Sequence, residues 1–385
     1  MSRTVLVLVM FAVVAIILAG GTAFIIKQNK LNQMKRSAAQ AEEKLDAKEY
    51  DDAILLLKRI ESEGGTARSV FLLGKAYCAK EQPAEGIRCF NKIERDYPSS
   101  SLVPDAMLYQ GRYALDNEGN AKKGKEIFLR ILEKYPNAPV ADNALYYLSR
   151  MSYDEGNVAQ AKKNLEQIVK KSDSPARFDA EFILGDINMK EMKSPEPGPN
   201  DEVYTIKAGD NIWKLERQLK VPGDLIIGIN GLNPKSLKIG QQIKVPRLNI
   251  TIIIDKAQRT ITLRNNNAFL KKYRVAINKT DAKAPAGDYT ITVKNEKGIE
   301  YIDPESNAVF KPGDSGNPLG VRYLQLRRDV GIHGTNMPET VGQYAARGSV
   351  GMTNPDIDEL YALVRVGTPV TIKGKNLQEG SPVKK

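Results

Sequence analysis

Four segments of the amino-terminal half resemble one another and recur at a nearly constant interval. Each carries apolar residues at helical spacing, and each apolar stripe opens on a small residue, namely Ala53, Gly86, Gly124 and Ala161. The steps between these residues are 33, 38 and 37, which is the period of solenoids built from helix-turn-helix units. The pattern therefore predicts an all-α helical-repeat region over residues 31–193.

Partner helices lie between the similar segments, for example SVFLLGKAYCAK and DNALYYLSRMSYDEG. Together with the Tyr-Pro pairs at 97–98 and 135–136, the pattern resembles tetratricopeptide repeats. The resemblance implies a surface for a protein partner, and nothing in the region carries chemistry. Cys78 and Cys89 lie on apolar faces, which favours small buried hydrophobes over a disulfide or a reactive thiol.

The residue counts exclude several kinds of site. The chain has a single His and two Cys, too few for a multi-histidine metal site, a four-thiolate zinc site or a disulfide scaffold. We expect no metal and no cofactor. The net charge of +11 is scattered, without the interleaved aromatic residues of a base-stacking surface, so no nucleic-acid partner is predicted.

Residues 1–30 contain an uncharged apolar run from Val5 to Ile26. As a helix, this run would cover the roughly 30 Å hydrocarbon core of a bilayer. A cleaved signal peptide is the alternative, although its apolar region is usually only about 7–15 residues long. We expect an uncleaved, single-pass transmembrane helix that anchors the protein in the cell membrane. The basic residues after the run favour a cytoplasmic location for the rest of the chain. This orientation conflicts with the location that the regions after residue 201, described below, imply.

Residues 194–201 form a proline-rich linker, and a small βααβ pattern follows over residues 202–247. The pattern predicts strands at Val203–Lys207 and Gln242–Val245 and two short helices between them, with Asp210 as a cap. The region resembles the LysM peptidoglycan-binding module. The resemblance is carried by Tyr204, Gly209-Asp210, Ile212, Leu225, Asn230, Leu232, Leu237, Gly240-Gln241 and Val245-Pro246.

The LysM resemblance implies a shallow groove for glycan that contains N-acetylglucosamine. By position, the glycan-binding residues are Gly209, Asp210, Asn211, Ile212, Asn230 and Leu232. Asn211 stands where the family usually has Ser or Thr. Trp213, the only tryptophan, is expected to pack in the core, with stacking on a sugar as the alternative.

From residue 249 to residue 373 the hydrophobic period changes to two. β-branched runs, among them the predicted strands Leu270 to Ile277 and Tyr289 to Lys294, are separated by Asn, Gly, Asp and Pro turns. They predict a mostly antiparallel β-sandwich or open barrel. One helix is predicted from Pro355 to Val364, with Asn354 as its cap. A basic tail follows over residues 374–385. The predicted fold class is thus multidomain: transmembrane helix, helical repeats, βααβ module and mostly-β domain.

This β region resembles the L,D-transpeptidase catalytic domain, through IIIDKAQRTITLRNN, APAGDYTI, NPLGVRYLQL, GIHGTNMPETVG and ELYALVRVGTPVTI. The family's known chemistry, which the resemblance implies here, joins peptidoglycan stem peptides. A cysteine attacks the carbonyl of the third residue of a donor tetrapeptide and releases D-Ala. An amine of an acceptor stem then resolves the thioester.

The family motif is His-Gly-Thr followed by Ser/Thr-His-Gly-Cys-x-Arg/Asn. His333, Gly334 and Thr335 match its first half, so the resemblance implies a His333 base and substrate contacts at Gly334 and Thr335. The second half departs from the family pattern and reads ARGSVG over residues 346–351. Arg347 replaces the second His, Ser349 the nucleophilic Cys and Gly351 the terminal Arg, while Gly348 is retained.

The departures leave three hypotheses open. A serine alcohol is a much weaker acid than a thiol and needs an aligned base during attack, so a weakened or inactive domain that recognises stem peptides is favoured. The second hypothesis is an active acyl transferase or hydrolase with Ser349 as nucleophile, His333 as base, the amides near Gly348 as oxyanion donors and Arg347 near the substrate. The third is a helical-repeat scaffold localised to the wall.

Both wall-directed modules imply peptidoglycan, glycan and stem peptides alike, as the partner. We therefore expect the bulk of the chain to lie outside the cytoplasm, in the periplasm or the wall of a bacterial envelope.

Overall fold

The computed structural model describes residues 28–199 and 201–376. These residues divide between Ser152 and Tyr153 into an amino-terminal unit and a carboxyl-terminal unit. The two units are described separately below.

The helical-repeat prediction is confirmed. The helices are α1, described over residues 28–46, α2 (Tyr50–Ser62), α3 (Ala67–Ala79), α4 (Pro83–Asp96), α5 (Val103–Asp116), α6 (Ala121–Lys134), α7 (Ala141–Asp154), α8 (Val158–Lys170) and α9 (Arg177–Lys193). Local sequence explains several starts. Proline occupies the first turn of α4 and of α5, where a missing N–H costs nothing, and a Thr66–Ser69 capping box begins α3.

Small residues let the helices of the amino-terminal unit approach closely. A Cβ atom on Gly111 of α5 would lie 2.5 Å from the Phe128 ring of α6, and Gly74 of α3 meets Phe90 of α4 in the same way. The equivalent contact therefore recurs one repeat later. The small residues of the sequence period pack against the same glycines, because a Cβ atom on Gly86 would lie 2.9 Å from the Gly74 carbonyl oxygen and one on Gly124 would lie 3.2 Å from the Gly111 carbonyl oxygen.

Both cysteines are free thiols that lie half-buried among these helices. Burial raises the pKa of the Cys89 thiol to about 11, and burial also raises the pKa of Cys78. Both thiols are therefore protonated near neutral pH, in keeping with a packing role.

In the carboxyl-terminal unit, α8 and α9 precede the predicted LysM region. That region comprises β1 (Glu202–Thr205), α10 (Ile212–Leu219), α11 (Gly223–Asn230) and β2 (Gln242–Val245), with β1 and β2 antiparallel. The cap predicted at Asp210 is wrong. Asn211 caps α10, its Oδ1 accepting from the Lys214 amide at 2.9 Å, because the Asp210 carboxylate is already engaged with Tyr204 and Lys207.

The mostly-β prediction is confirmed as two five-stranded sheets. The strands are β3 (Ile250–Asp255), β4 (Thr260–Asn265), β5 (Ala268–Arg274), β6 (Ala276–Ile277), β7 (Gly287–Thr290), β8 (Val293–Asn295), β9 (Tyr301–Ile302), β10 (Val309–Phe310), β11 (Tyr323–Arg327), β12 (Val330–His333), β13 (Val350–Gly351) and β14 (Pro369–Lys373). One sheet has the order β6-β13-β12-β11-β8 and the other β5-β4-β3-β14-β7, while β9 and β10 form a separate hairpin.

Two runs predicted as single strands each divide between the sheets. The run from Leu270 to Ile277 becomes β5 in one sheet and β6 in the other, and Tyr289–Lys294 likewise becomes β7 and β8. A period-two pattern continues through such a corner and cannot reveal it. Helix α12 (Asn354–Leu363) packs on this domain, and its cap is Thr353 rather than the predicted Asn354.

Helix α9 packs directly on β5. The Lys272 ammonium and the Glu181 carboxylate form a buried ion pair at 2.5 Å, and Asn188 Nδ2 donates to the Leu270 carbonyl at 3.1 Å. A Cβ atom on Gly185 would lie 2.9 Å from the Lys271 side chain. The last repeat helix is therefore a structural part of the β domain and not a detachable spacer.

The proline-rich segment after α9 is also held in place. The Lys244 side chain of β2 is 3% exposed, and its three N–H groups are shared among four carbonyl oxygens that lie 2.9–3.3 Å away, those of Glu191, Met192, Ser194 and Glu196. The Asp201 carboxylate completes this cage at 3.1 Å. Since the carbonyls at a helix end lack partners within the helix, this lysine satisfies the end of α9.

The predicted transmembrane helix is contradicted. In the part of the chain that the structure describes, no helix is long and apolar enough to cross a membrane. A bilayer core requires about 20 apolar residues, whereas the longest helix after α1 is α9, with 17 residues and charged side chains throughout. The run from Val5 to Ile26, on which the prediction was based, lies outside the described residues.

Candidate active site and glycan surface

Two parallel strands at the centre of the first sheet bring the two halves of the motif together. Ile332 of β12 pairs with Val350 of β13, and His333 pairs with Gly351. Because side chains alternate along a strand, His333 and Ser349 lie on the same face of the sheet. The segment between β12 and β13 therefore brings residues 346–351 back beside His333.

His333 is only 1% exposed, and its ring is oriented by the backbone. Nδ1 lies 2.6 Å from the Gly334 carbonyl oxygen. A carbonyl only accepts, so Nδ1 carries the proton and Nε2 of the neutral ring carries the lone pair. Nε2 is buried and has no hydrogen-bond partner among the described residues. Burial lowers the pKa of His333 to about 4, so the ring is neutral at pH 7.

Ser349 is 4% exposed, and its hydroxyl hydrogen bonds to the backbone and not to the imidazole. Its Oγ accepts a hydrogen bond from the Gly331 amide and donates to the Asp329 carbonyl, both at 3.3 Å. The proposed nucleophile and the proposed base therefore lie on one face but share no hydrogen bond. An alcohol needs that hydrogen bond more than a thiol does.

Asn278 holds the loop that carries these residues, and sequence reasoning missed it. Its Nδ2 donates to the Ala346 carbonyl at 3.0 Å and to the Gly348 carbonyl at 2.7 Å, and its amide donates to the Ser349 carbonyl at 3.0 Å. Asn278 follows β6 by one residue. Nothing in the local pattern distinguishes it from an ordinary turn asparagine.

Gly348 permits the loop to pass against the imidazole. A Cβ atom there would lie 2.7 Å from Cδ2 of His333 and closer still to Nε2, whereas a Cβ on Gly351 would meet Cε1 at an ordinary 3.4 Å. Gly348 therefore lies against the imidazole of His333, and its catalytic role as a source of oxyanion donors stays a prediction. The retained glycine has a steric explanation in this chain.

The two glycines offer a matched pair of substitutions. We expect Gly348→Ala to lower the free energy of unfolding by about 1–3 kcal/mol, because the methyl group displaces the buried ring of His333. Gly351→Ala should change it by less than about 1 kcal/mol, since the methyl group fits and the unfolded chain loses freedom. Urea denaturation of both variants measures the difference. Equal losses would contradict the close approach at Gly348.

The three residues predicted to bind substrate have different surroundings. Gly334 is buried, and a Cβ atom there would overlap the Asn354 side chain. Thr335 is buried, and its Oγ1 accepts from the Met337 amide at 3.0 Å. Arg347 is exposed, and its guanidinium interacts with the hydroxyl of Tyr301 on β9. Only Arg347 presents a side chain that a substrate reaches, and all three substrate roles stay predictions.

The residues predicted to bind glycan divide into structural and exposed groups. The side-chain amide of Asn230 is fully hydrogen-bonded within the module. Its Nδ2 donates to the carbonyls of Ile226 and Lys244, and its Oδ1 accepts from the Lys244 amide, at 2.7–3.0 Å. Leu232 is buried in the core. Asp210, with a buried carboxylate, accepts from the Tyr204 hydroxyl at 2.9 Å.

Gly209 and Asn211 are exposed, and Ile212 is half-buried at the start of α10. At the predicted groove, the turn before α10 is exposed. The side chains of Asp210, Asn230 and Leu232 are instead engaged within the module. The predicted core position of Trp213 is wrong, because its side chain is 67% exposed beside this turn. The Arg217 guanidinium lies 4.9 Å from the Trp213 ring centroid. One turn of helix α10 separates them, so the two side chains stack on the surface.

Comparison with known protein families agrees with this architecture. A family profile described as the L,D-transpeptidase catalytic domain matches residues 249–372, a LysM domain profile matches residues 204–246, and a tetratricopeptide profile matches residues 105–138 and 143–174. The resemblances seen in the sequence are thus confirmed.

Individual relatives resemble the same part of the chain. The YkuD protein of Bacillus subtilis strain 168 is 28% identical over 176 residues, which are 44% of this chain and 97% of that protein. YqjB of the same strain is 32% identical over 131 residues, 32% of this chain and 72% of that protein. A solved catalytic domain of an E. faecium L,D-transpeptidase is 16% identical, with 32% of this chain and 97% of that domain covered, at a TM-score of 0.27.

A two-sheet domain with His333 and the 346–351 loop on adjoining strands, preceded by a LysM domain, defines a wall-directed multidomain protein of the L,D-transpeptidase class. The chain belongs to the L,D-transpeptidase family. Its LysM and L,D-transpeptidase-like domains make it a cell-wall protein that binds peptidoglycan.

Proposed function

We propose that this protein is an extracytoplasmic peptidoglycan-binding protein whose L,D-transpeptidase-like domain recognises stem peptides without transferring them. The LysM domain binds the glycan, and the β domain retains the family fold as a peptide-binding module. The helical repeats remain available for a protein partner.

The observation that carries the proposal is the orientation of Ser349. Its hydroxyl hydrogen bonds to the Gly331 amide and the Asp329 carbonyl, and Nε2 of His333 has no hydrogen-bond partner in the described part of the chain. A serine nucleophile must lose its proton as it attacks, and here no base is aligned to take it. The family's second His and terminal Arg are also replaced, by Arg347 and Gly351.

One observation favours the second candidate, a serine-dependent acyl transferase or hydrolase. The neutral tautomer of His333 places its lone pair on Nε2, on the face of the sheet that Ser349 shares. A rotation of the Ser349 side chain toward Nε2 would pair the alcohol with a base of the correct tautomer. The ester intermediate would then replace the family's thioester.

Muropeptides that carry a tetrapeptide stem separate the two candidates. We expect the wild-type chain to sediment with sacculi, to form no acyl adduct and to release no D-Ala, because the Ser349 alcohol has no aligned base. Mass spectrometry of the protein and of the muropeptides measures both reactions. The Ser349→Ala variant should behave identically in every assay.

The same experiment has a contrary outcome and an internal probe. Release of D-Ala by the wild type that Ser349→Ala abolishes would establish the serine enzyme instead. A Ser349→Cys variant restores the family's nucleophile at the same place. An adduct formed only by this variant would indicate that the pocket still receives the donor stem.

A further inference from the structure

A short segment after β14 packs against the turn that supports the candidate active site. The chain bends at Gly374, whose φ is +83°, and Asn376 then lies against the turn that follows β6. The Asn376 Nδ2 donates to the carbonyls of Asn278 and Lys279, each at 2.9 Å. Because a carbonyl only accepts, Nδ2 and not Oδ1 faces the turn. Asn376 therefore holds the turn that contains Asn278.

A buried lysine holds the same turn from a second element. Lys256 is 0% exposed, and its ammonium forms an ion pair with the Asp281 carboxylate. The Lys256 amide donates to the Lys373 carbonyl at 3.0 Å, and the Lys256 carbonyl accepts from the Tyr344 hydroxyl at 3.0 Å. Lys256 thus connects the end of β14, the turn after β6 and the chain just before the second half of the motif.

Asn278 transmits this support to the loop that carries Ser349. Its Nδ2 binds the carbonyls of Ala346 and Gly348, and the peptide bonds of the loop are trans. In a trans peptide unit the N–H of the following residue points opposite to the carbonyl. The amides of Arg347 and Ser349 are therefore directed away from Asn278, and neither donates to another of the described residues. Asn278 thus sets the direction of two backbone donors of the loop.

The position of this loop also determines the surroundings of His333. Gly348 lies so close that a Cβ atom there would be 2.7 Å from Cδ2 of the imidazole, and the neutral ring of Tyr323 stacks on it at 6.3 Å. Burial lowers the pKa of His333, whereas the contact with the Gly334 carbonyl raises it. A displacement of the loop that admits water to Nε2 therefore raises this pKa toward its ordinary value.

We infer that Asn376 is a positioning residue of the candidate active site, which it supports through Asn278. The hydrogen bonds of Asn376 hold the turn after β6, and that turn holds the loop against His333. In the proposed function, the ordered loop would present the amides of Arg347 and Ser349 to a carbonyl or carboxylate oxygen of the stem peptide. The consequence for peptide affinity rests on the proposed function, whereas the consequence for the His333 ring does not.

An NMR titration of the single imidazole in the full chain tests the positioning role. Asn376→Leu keeps a side chain of similar shape and removes the donor. We expect the titration midpoint of His333 to rise by at least about one pH unit relative to the wild type, because water reaches Nε2 once the loop is released. A loss of global stability by itself would not move this midpoint in the folded chain.

A double-variant comparison tests the route through Asn278. Asn278→Leu should also raise the midpoint of His333, because it frees the same loop. The double variant should show clearly less than the sum of the two shifts, since both residues act on one element. Additive shifts would contradict an action of Asn376 through Asn278.

Titration calorimetry with a tetrapeptide muropeptide tests the consequence for the peptide site. We expect Asn376→Leu to weaken binding about tenfold, since the loop must be ordered again when the peptide binds. Asn249→Leu is the matched control, because Asn249 is an exposed asparagine of the same domain whose side chain has no hydrogen bond within the described chain. It should change neither the midpoint nor the affinity.

Thermal melts should show that the variants are folded. If the leucine variant does not fold, Asn376→Ser takes its place with the same expected shift, because a serine hydroxyl cannot reach both carbonyls. A raised midpoint with absent or unaltered muropeptide binding would support the positioning role and contradict the recognition of stem peptides at this loop. A folded Asn376 variant with the wild-type midpoint, or an equal shift in the control, would overturn the inference.

Discussion

Replacing Lys244 with methionine is expected to lower the free energy of unfolding of the carboxyl-terminal unit by about 3 kcal/mol, because it leaves several buried oxygens without a donor. The three N–H groups of the ammonium are shared among four carbonyls at the end of α9 and the following segment and the Asp201 carboxylate. Methionine fills the same volume but donates nothing. Urea denaturation followed by circular dichroism measures the loss.

The same substitution should also release the segment over residues 194–199. Limited proteolysis is therefore expected to cut this segment faster in the Lys244→Met variant than in the wild type, because the ammonium no longer holds its carbonyls. Lys235→Met is the matched control, since Lys235 is an exposed lysine in the same module. Indistinguishable stability and cleavage of the two variants would contradict the structural role of the Lys244 cage.

Acidification from about pH 6.5 to about pH 4 is expected to destabilise the carboxyl-terminal unit by about 3 kcal/mol through His333. The folded-state pKa of His333 is about 4, lowered by burial, whereas an unfolded histidine has a pKa of about 6.5. Within this window the imidazole of His333 is protonated in the unfolded chain and neutral in the folded chain. Stability is therefore present above pH 6.5 and is lost as the pH falls toward 4.

Since His333 is the only histidine, the titration can be observed without assignment. The imidazole signals in an NMR spectrum of the folded chain should remain those of the neutral ring down to about pH 4. Urea denaturation of wild type and His333→Gln at several pH values should show a stability difference that shrinks only within the window. An NMR midpoint near 6.5 would contradict the buried, unpartnered ring, even if the variant did not fold.

The sequence located the candidate site but not its geometry. His333 and Ser349 could be assigned because the flanking motifs align with a family pattern, and sequence order preserves such spacing. The direction of the Ser349 hydroxyl could not, since it depends on where strand β12 places the Gly331 amide. Asn278 was missed for the same reason: it becomes a loop support only when β6 lies beside β13.

Sequence reasoning also failed to predict which side chains are exposed and how the segments between domains are attached. The exposure of Trp213 was wrongly predicted, because helical position alone does not say which neighbour covers a side chain. The linker was recognised from its prolines, but its attachment through Lys244 depends on a residue about fifty positions later in the chain. Contacts of that separation leave no periodic trace in a sequence.

The sequence by itself determined the order of the repeat, LysM and β regions, since hydrophobic period and local motifs are properties of neighbouring residues. It also determined that the motif's cysteine is a serine. Only the tertiary structure decided that α9 belongs with the β domain and that Ser349 and Nε2 of His333 share no hydrogen bond. The physical reason is that each of these depends on burial and on atoms from distant segments, which meet only when the chain is packed.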